Sequence, residues 1–211
     1  FPTGRKLAAV AAARGRPIVL ANGCEGEPAS HKDAALLDIA PHLVLDGAVL
    51  AAYALGASEV LVCVHRGAAA ARSIPEAIAV RSDPVEVRLV EVPVRYVASE
   101  ESALVNFVNT GNARPTATPP RPFERGINAR PTLVDNVKTL AHLALIDRFG
   151  AEWFRSVGIP QLPGTLLATL GGALNQPAVY EVPGGSPLGA VIERAGGPSE
   201  PVQAALIGGY S

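Results

Sequence analysis

The spacing of apolar and polar positions along the chain predicts alternating helices and strands. Residues 6–14 carry apolar side chains at helical spacing, and Gly15 and Pro17 close the segment. Residues 17–22 read Pro-Ile-Val-Leu-Ala-Asn, a short buried strand that runs into the loop Gly23-Cys-Glu-Gly-Glu-Pro28. Residues 41–56 are apolar on most faces, as a helix covering a sheet requires. Residues 59–64 form a continuous apolar run of the kind shown by a parallel strand buried on both faces. A helix over about 68–80 and a strand over 85–92 repeat the unit once more. This β–α–β alternation predicts an open, mostly parallel α/β sheet with helices on both faces.

Further along, Ser99 is placed to cap a helix whose first turn holds Glu100 and Glu101, where acidic side chains meet the positive end of the helix dipole. The stretch 114–131 contains Pro115, Pro119, Pro120, Pro122 and Pro131, a density that argues against helix and for an extended strap. A helix over 136–149 and another turn or two over 151–156 follow. After Pro163 the texture changes: strands at 165–170, 178–182 and 202–207 surround a short helix at 188–195, with paired glycines between them. A β–β–α–β unit of about 45 residues buries too little to stand alone and is expected to pack against the first domain.

Composition narrows the function. Apolar residues make up 48% and charged residues 18%, which supports a buried core and excludes global disorder. A net charge of -1 gives no electrostatic case for nucleic acid or an anionic membrane. Cys24 and Cys63 are the only cysteines and lie far apart, which excludes a disulfide framework and a self-contained zinc or iron–sulfur site. The four histidines, His31, His42, His65 and His142, show no metal-ligand spacing. The longest apolar stretch is broken by Asp46 and Gly47 and is too short to span a bilayer. These features favour a reducing, cytoplasmic home and no direct membrane insertion.

In an open α/β sheet, ligands bind beyond the carboxyl ends of the strands. The first strand delivers Asn22, Gly23, Cys24, Glu25, Gly26 and Glu27 to that position. Glycines let backbone N–H groups approach a ligand, and Asn and Glu can bind amide, imide or hydroxyl groups. On spacing alone an ordinary turn with solvated acids is the better fit. Glu100 and Glu101 can be read simply as dipole-stabilising residues, and adjacent helical positions do not face one another as a hydrolytic carboxylate pair would.

Resemblance takes the reading further. Phe1-Pro-Thr-Gly-Arg-Lys6, Asn22-Gly-Cys-Glu-Gly-Glu-Pro28 with Lys32-Asp33, Ser99-Glu-Glu-Ser-Ala-Leu104, Asp135-Asn-Val-Lys-Thr-Leu140 and Gln176-Pro-Ala-Val-Tyr-Glu-Val-Pro183 occur in one order along the chain. Together they resemble the flavoprotein subunit of respiratory complex I and its relatives in NAD-reducing hydrogenases and formate dehydrogenases. The resemblance implies a Rossmann-like FMN- and NADH-binding domain over residues 1–162. A truncated ubiquitin-like β-grasp module of the soluble-ligand-binding (SLBB) type follows over 163–211. It implies hydride transfer from NADH to FMN, with no protein group as the catalyst, and electron exit through iron–sulfur clusters of partner subunits. No such cluster and no metal site is expected in this chain. Carried over position by position, Lys6, Asn22, Glu25 and Asn136 contact FMN. Phe1, Lys6, Glu27, Tyr96 and Glu101 face NADH, Glu101 at the adenosine ribose. The implied location is cytoplasmic, peripheral to a membrane complex.

Several positions depart from the family pattern. Its glycine-rich FMN loop precedes the Phe-Pro-Thr-Gly motif and is expected in a longer chain. Cys24 stands in place of an Asp, Asp135 in place of the first of two Asn, and Ala98-Ser99 in place of Cys-Gly. Thr118 and Arg121 replace a Lys and a Phe on the nucleotide side, and Ala9 replaces an aromatic residue. Two hypotheses follow: an NADH-oxidising flavoprotein, or a non-catalytic homologue that binds a partner through the β-grasp module.

Overall fold

Along each central strand, successive side chains serve opposite layers, and this alternation organises the molecule. The computed structural model describes residues 2–210; Phe1 and Ser211 lie outside the described residues. Helix α1 (Thr3–Ala12) leads to strand β1 (Ile18–Asn22), then α2 (Lys32–Ile39), α3 (Pro41–Leu55), β2 (Glu59–His65), α4 (Ala70–Ala79) and β3 (Glu86–Val92). After a 3-10 turn at Tyr96–Ser99 come α5 (Glu101–Thr110), α6 (Pro122–Arg125), β4 (Thr132–Asn136), α7 (Val137–Phe149) and α8 (Ala151–Arg155). The four strands form one parallel sheet in the order β3-β2-β1-β4.

Val19 and Ala21 of β1, with Val60, Val62 and Val64 of β2, pack under α3, α4 and α7 through Val44, Leu45, Ala48, Ile74 and Leu140. The intervening Ile18, Leu20, Leu61 and Cys63 turn to the other face, where Leu104 and Val105 of α5, Ala98, Ala113 and Ile127 cover them. Strands buried on both faces must be apolar at every position, as β1 and β2 are through their interiors. Helix α3 begins with Pro41, whose missing N–H costs nothing there, and ends at Gly56 in the left-handed conformation. Among the described residues no single helix is long and apolar enough to cross a membrane.

The remainder is built from short elements. Strands β5 (Gly158–Ile159) and β6 (Leu162–Pro163) pair antiparallel, as do β7 (Thr165–Leu170) and β8 (Ala178–Pro183), and α9 (Leu188–Arg194) follows. The hairpin sits against the first layer: Thr169 Oγ1 accepts the His31 N–H at 2.9 Å, and Lys138 Nζ donates to the Thr165 carbonyl at 3.1 Å.

The structure corrects several expectations. The helix starting at 101 is capped by Glu100, not Ser99: the Glu100 carboxylate accepts the N–H groups of Ser102 and Ala103, while Ser99 closes the preceding 3-10 turn. The proline-rich strap is not wholly extended, because Pro122 can begin a helix, and Glu124 reaches back to the Arg121 N–H at 2.7 Å. The first helix begins at Thr3 rather than Lys6. Helix α2 and strand β4 were not expected. The third strand at 202–207 does not form: a strand needs a neighbour's N–H and C=O groups, and this segment pairs with neither β7 nor β8.

Candidate functional site

The strand order fixes where a ligand can enter. The chain moves outward from β1 through β2 to β3, then crosses back to place β4 on the opposite side of β1. The strand order therefore reverses between β1 and β4, and in open parallel sheets the crevice outside the carboxyl ends of two such neighbours is where a ligand binds. Asn22 and Asn136, the last residues of the two strands, are direct partners in register.

Each amide is held. Asn22 Nδ2 donates to the Ser99 carbonyl at 2.9 Å, which ties the 3-10 turn to the end of β1, and Asn22 Oδ1 accepts the Cys24 N–H at 3.0 Å. Asn136 caps α7 through the Lys138 N–H at 2.9 Å and donates to Asp33 Oδ2 at 2.8 Å. Asp33 is 1% exposed and pairs with Lys32 Nζ at 2.6 Å. From α1, Lys6 Nζ reaches the same edge, donating to the Val134 carbonyl at 2.8 Å and standing 3.9 Å from Glu101 Oε2.

The two acids of the glycine loop have different surroundings. Glu25 folds toward the start of α2: Ser30 Oγ donates to Oε1 at 2.5 Å, the Ala34 N–H to Oε2 at 3.2 Å, and Lys32 Nζ stands 4.0 Å away. Glu27 accepts the backbone N–H groups of Ala29 and Tyr210, both at 3.2 Å, so the end of the C-terminal module lies over the loop. A Cβ on Gly26 would come within 2.3 Å of Ser99 Oγ, which is why the loop needs glycine to pass the 96–99 turn. Tyr96 is exposed beside that passage.

Two buried acceptors flank Asn136 without a hydrogen-bond partner among the described residues: Asp33 Oδ1 and Asp135 Oδ2. Burial raises the pKa of both carboxyl groups; Lys32 counteracts it at Asp33, and Lys6 at Asp135. FMN presents donors that suit such acceptors, the ring imide N–H and the ribityl hydroxyls. The donor set therefore fits the group. Cys24 is buried in the core with Leu20 and Cys63, and burial, reinforced by the charge of Asp33, pushes its thiol up to about 12. That keeps it protonated, the state of a packing residue rather than a nucleophile.

Of the expected site residues, Lys6, Asn22, Glu101 and Asn136 converge on this edge, Glu27 and Tyr96 border it, Glu25 is turned onto α2, and Phe1 lies outside the described residues. Sequence reasoning gave no role to Asp33, whose only signal was the Lys32-Asp33 pair. It also missed that Arg121 stands beside Glu101, Nη1 to Oε1 3.8 Å. A cleft of about 380 Å3 lined by Asn106, Asn109, Thr116 and Arg125 lies elsewhere, near the start of β4, and holds none of these groups.

Comparison with known proteins agrees with this geometry. Residues 1–145 match the family model of the Nuo51 FMN-binding domain, and residues 167–209 match that of the SLBB domain. The chain is 34% identical, over an alignment of 230 residues, to an NADH-quinone oxidoreductase subunit of Rhizobium meliloti, covering all of this chain and 54% of that protein. It is 33% identical to the NAD-reducing hydrogenase HoxS subunit alpha of Cupriavidus necator over 84% of this chain and 32% of that one. A crystal structure of NAD+-reducing [NiFe]-hydrogenase in the H2-reduced state superposes with a TM-score of 0.87 at 32% identity, over 94% of this chain and 36% of that chain. The chain spans about half the length of the NADH-quinone oxidoreductase relatives it matches. With the parallel sheet and the crevice between β1 and β4 in place, the chain belongs to the Nuo51 FMN-binding family and carries an SLBB domain behind it.

Proposed function

We propose that this chain forms the flavin- and nucleotide-binding part of an NADH-oxidising flavoprotein, with FMN seated in the crevice between β1 and β4. The observation that carries the reading is the side-by-side placement of Asn22 and Asn136 at the carboxyl ends of the two strands, with Lys6 and the unpartnered oxygens of Asp33 and Asp135 beside them. Lys6, Asn22, Glu25 and Asn136 would hold FMN, and Phe1, Lys6, Glu27, Tyr96 and Glu101 would face NADH. FMN, when bound, would supply the redox chemistry, as hydride acceptor and single-electron donor. The amides of Asn22 and Asn136 orient the ligand, and Glu101 accepts hydrogen bonds from ribose hydroxyls. Iron–sulfur subunits would take the electrons, at the cytoplasmic periphery of a membrane complex. The domain boundary would fall near Leu162, just ahead of the β7–β8 hairpin.

The visible spectrum of the protein, expressed with its natural flanking residues, tests this. Flavin bands that bleach on addition of NADH are expected. A colourless protein that FMN cannot reconstitute would overturn the reading and favour a partner-binding role for the SLBB domain. In the coloured protein, Glu101→Gln is expected to shift the ratio of kcat/KM values for NADH and NADPH toward NADPH. An unchanged ratio would remove Glu101 from the nucleotide site.

A further inference from the structure

We infer that Arg121 makes the nucleotide site of this chain accept a 2′-phosphorylated adenosine, so that NADPH is bound as well as NADH; this rests on the nucleotide site proposed above. A carboxylate at the adenosine ribose selects NADH in two ways: it binds the free 2′-hydroxyl and repels a 2′-phosphate. Glu101 cannot exert that repulsion in full here. Its Oε2 stands 3.9 Å from Lys6 Nζ and its Oε1 3.8 Å from Arg121 Nη1, so two cations screen this one carboxylate.

Arg121 is also built to respond to a phosphate. Its backbone is fixed, because its N–H donates to Glu124 Oε2 at 2.7 Å at the start of α6 and the next residue, Pro122, is buried. Its side chain is 60% exposed and its contact with Glu101 is long, so the guanidinium can pivot from a fixed Cα. A guanidinium presents a planar fork that matches phosphate oxygens, and its pairing with phosphate is stronger than a 3.8 Å contact with a carboxylate at the surface. A 2′-phosphate arriving at Glu101 therefore exchanges a weak surface pair for a bidentate one.

Calorimetric titration with 5′-AMP and with adenosine 2′,5′-bisphosphate tests this directly, since the two differ only in the 2′-phosphate. The full chain is expected to bind the bisphosphate at least as tightly as AMP, and this advantage should shrink as salt is raised. Arg121→Ala keeps the backbone cap and should weaken the bisphosphate about tenfold while changing AMP less than about threefold; Arg121→Lys should restore part of the loss. A wild-type chain that favours AMP by about tenfold, or an Arg121→Ala chain that loses both ligands equally, overturns the proposal and leaves the nucleotide site standing. Failure of both ligands to bind at millimolar concentration overturns the nucleotide site together with the proposal.

Discussion

Gly47→Ala is expected to destabilise the protein by about 3 kcal/mol, seen as a melting temperature lower by about 6–12 °C. Gly47 sits inside α3, where helix propensity by itself would favour alanine by about 1 kcal/mol. The packing term is larger and opposite. A Cβ at this position would lie 1.8 Å from the carbonyl oxygen of Leu140, and that oxygen belongs to the backbone of α7 and cannot rotate away. One helix must move, and α7 is capped by Asn136 at its start, so the crevice moves with it. Gly4→Ala in α1 is the control, because its Cβ would meet nothing within 4 Å. That substitution should leave stability unchanged or raise it by about 0.5–1 kcal/mol. Thermal denaturation of both variants separates a steric effect from a propensity effect; equal melting temperatures would show that α3 and α7 do not cross this closely.

Asp135→Asn is expected to stabilise the protein at neutral pH by about 1 kcal/mol, and to lose that advantage in acid. Asp135 is 6% exposed; one oxygen accepts the Asn136 N–H at 3.1 Å and the other has no hydrogen-bond partner among the described residues. Burial lifts its pKa, and Lys6, the Asn136 N–H and Thr3 lower it only in part. A carboxyl that titrates higher in the folded than in the unfolded chain binds its proton more tightly when folded. Its contribution to stability is therefore full below the unfolded pKa of about 3.9 and is lost as pH rises through the folded value. Asparagine has no proton to lose. The difference between variant and wild type should be near zero below about pH 4 and grow toward neutrality, read from denaturant unfolding across a pH series. A gap independent of pH would mean that the buried charge is fully compensated in the folded chain.

Lys6 illustrates how much of the site a local reading can find. The resemblance marked Lys6, Asn22, Glu101 and Asn136 as site residues although they are scattered along most of the first domain. The structure brings them to one edge of one sheet through the β1–β4 pairing and the reach of α1. It also shows that Glu25 is engaged by Ser30, Ala34 and Lys32, a local arrangement that no motif spacing encodes. The pairing of Arg121 with Glu101 was equally invisible, because a strap and a helix start meet only when the chain is folded.

By itself the sequence determined the elements whose signals are local: apolar runs for β1 and β2, the helix that runs to Gly56, and the separate strands β7 and β8. It did not determine β4, since Thr132–Asn136 passes into α7 with no loop, and Asn136 is both strand end and helix cap. It misassigned the cap of α5, because Ser99 and Glu100 are both competent and the 3-10 turn at 96–99 chose between them. It also placed a strand at 202–207, where the apolar pattern is right but no sheet edge receives it. Only the tertiary structure decided which strands are neighbours, and so where the crevice lies. Propensity and periodicity act over a turn or two of chain, whereas strand order is set by hydrogen bonds and burial between residues far apart in sequence, such as Asn22 and Asn136.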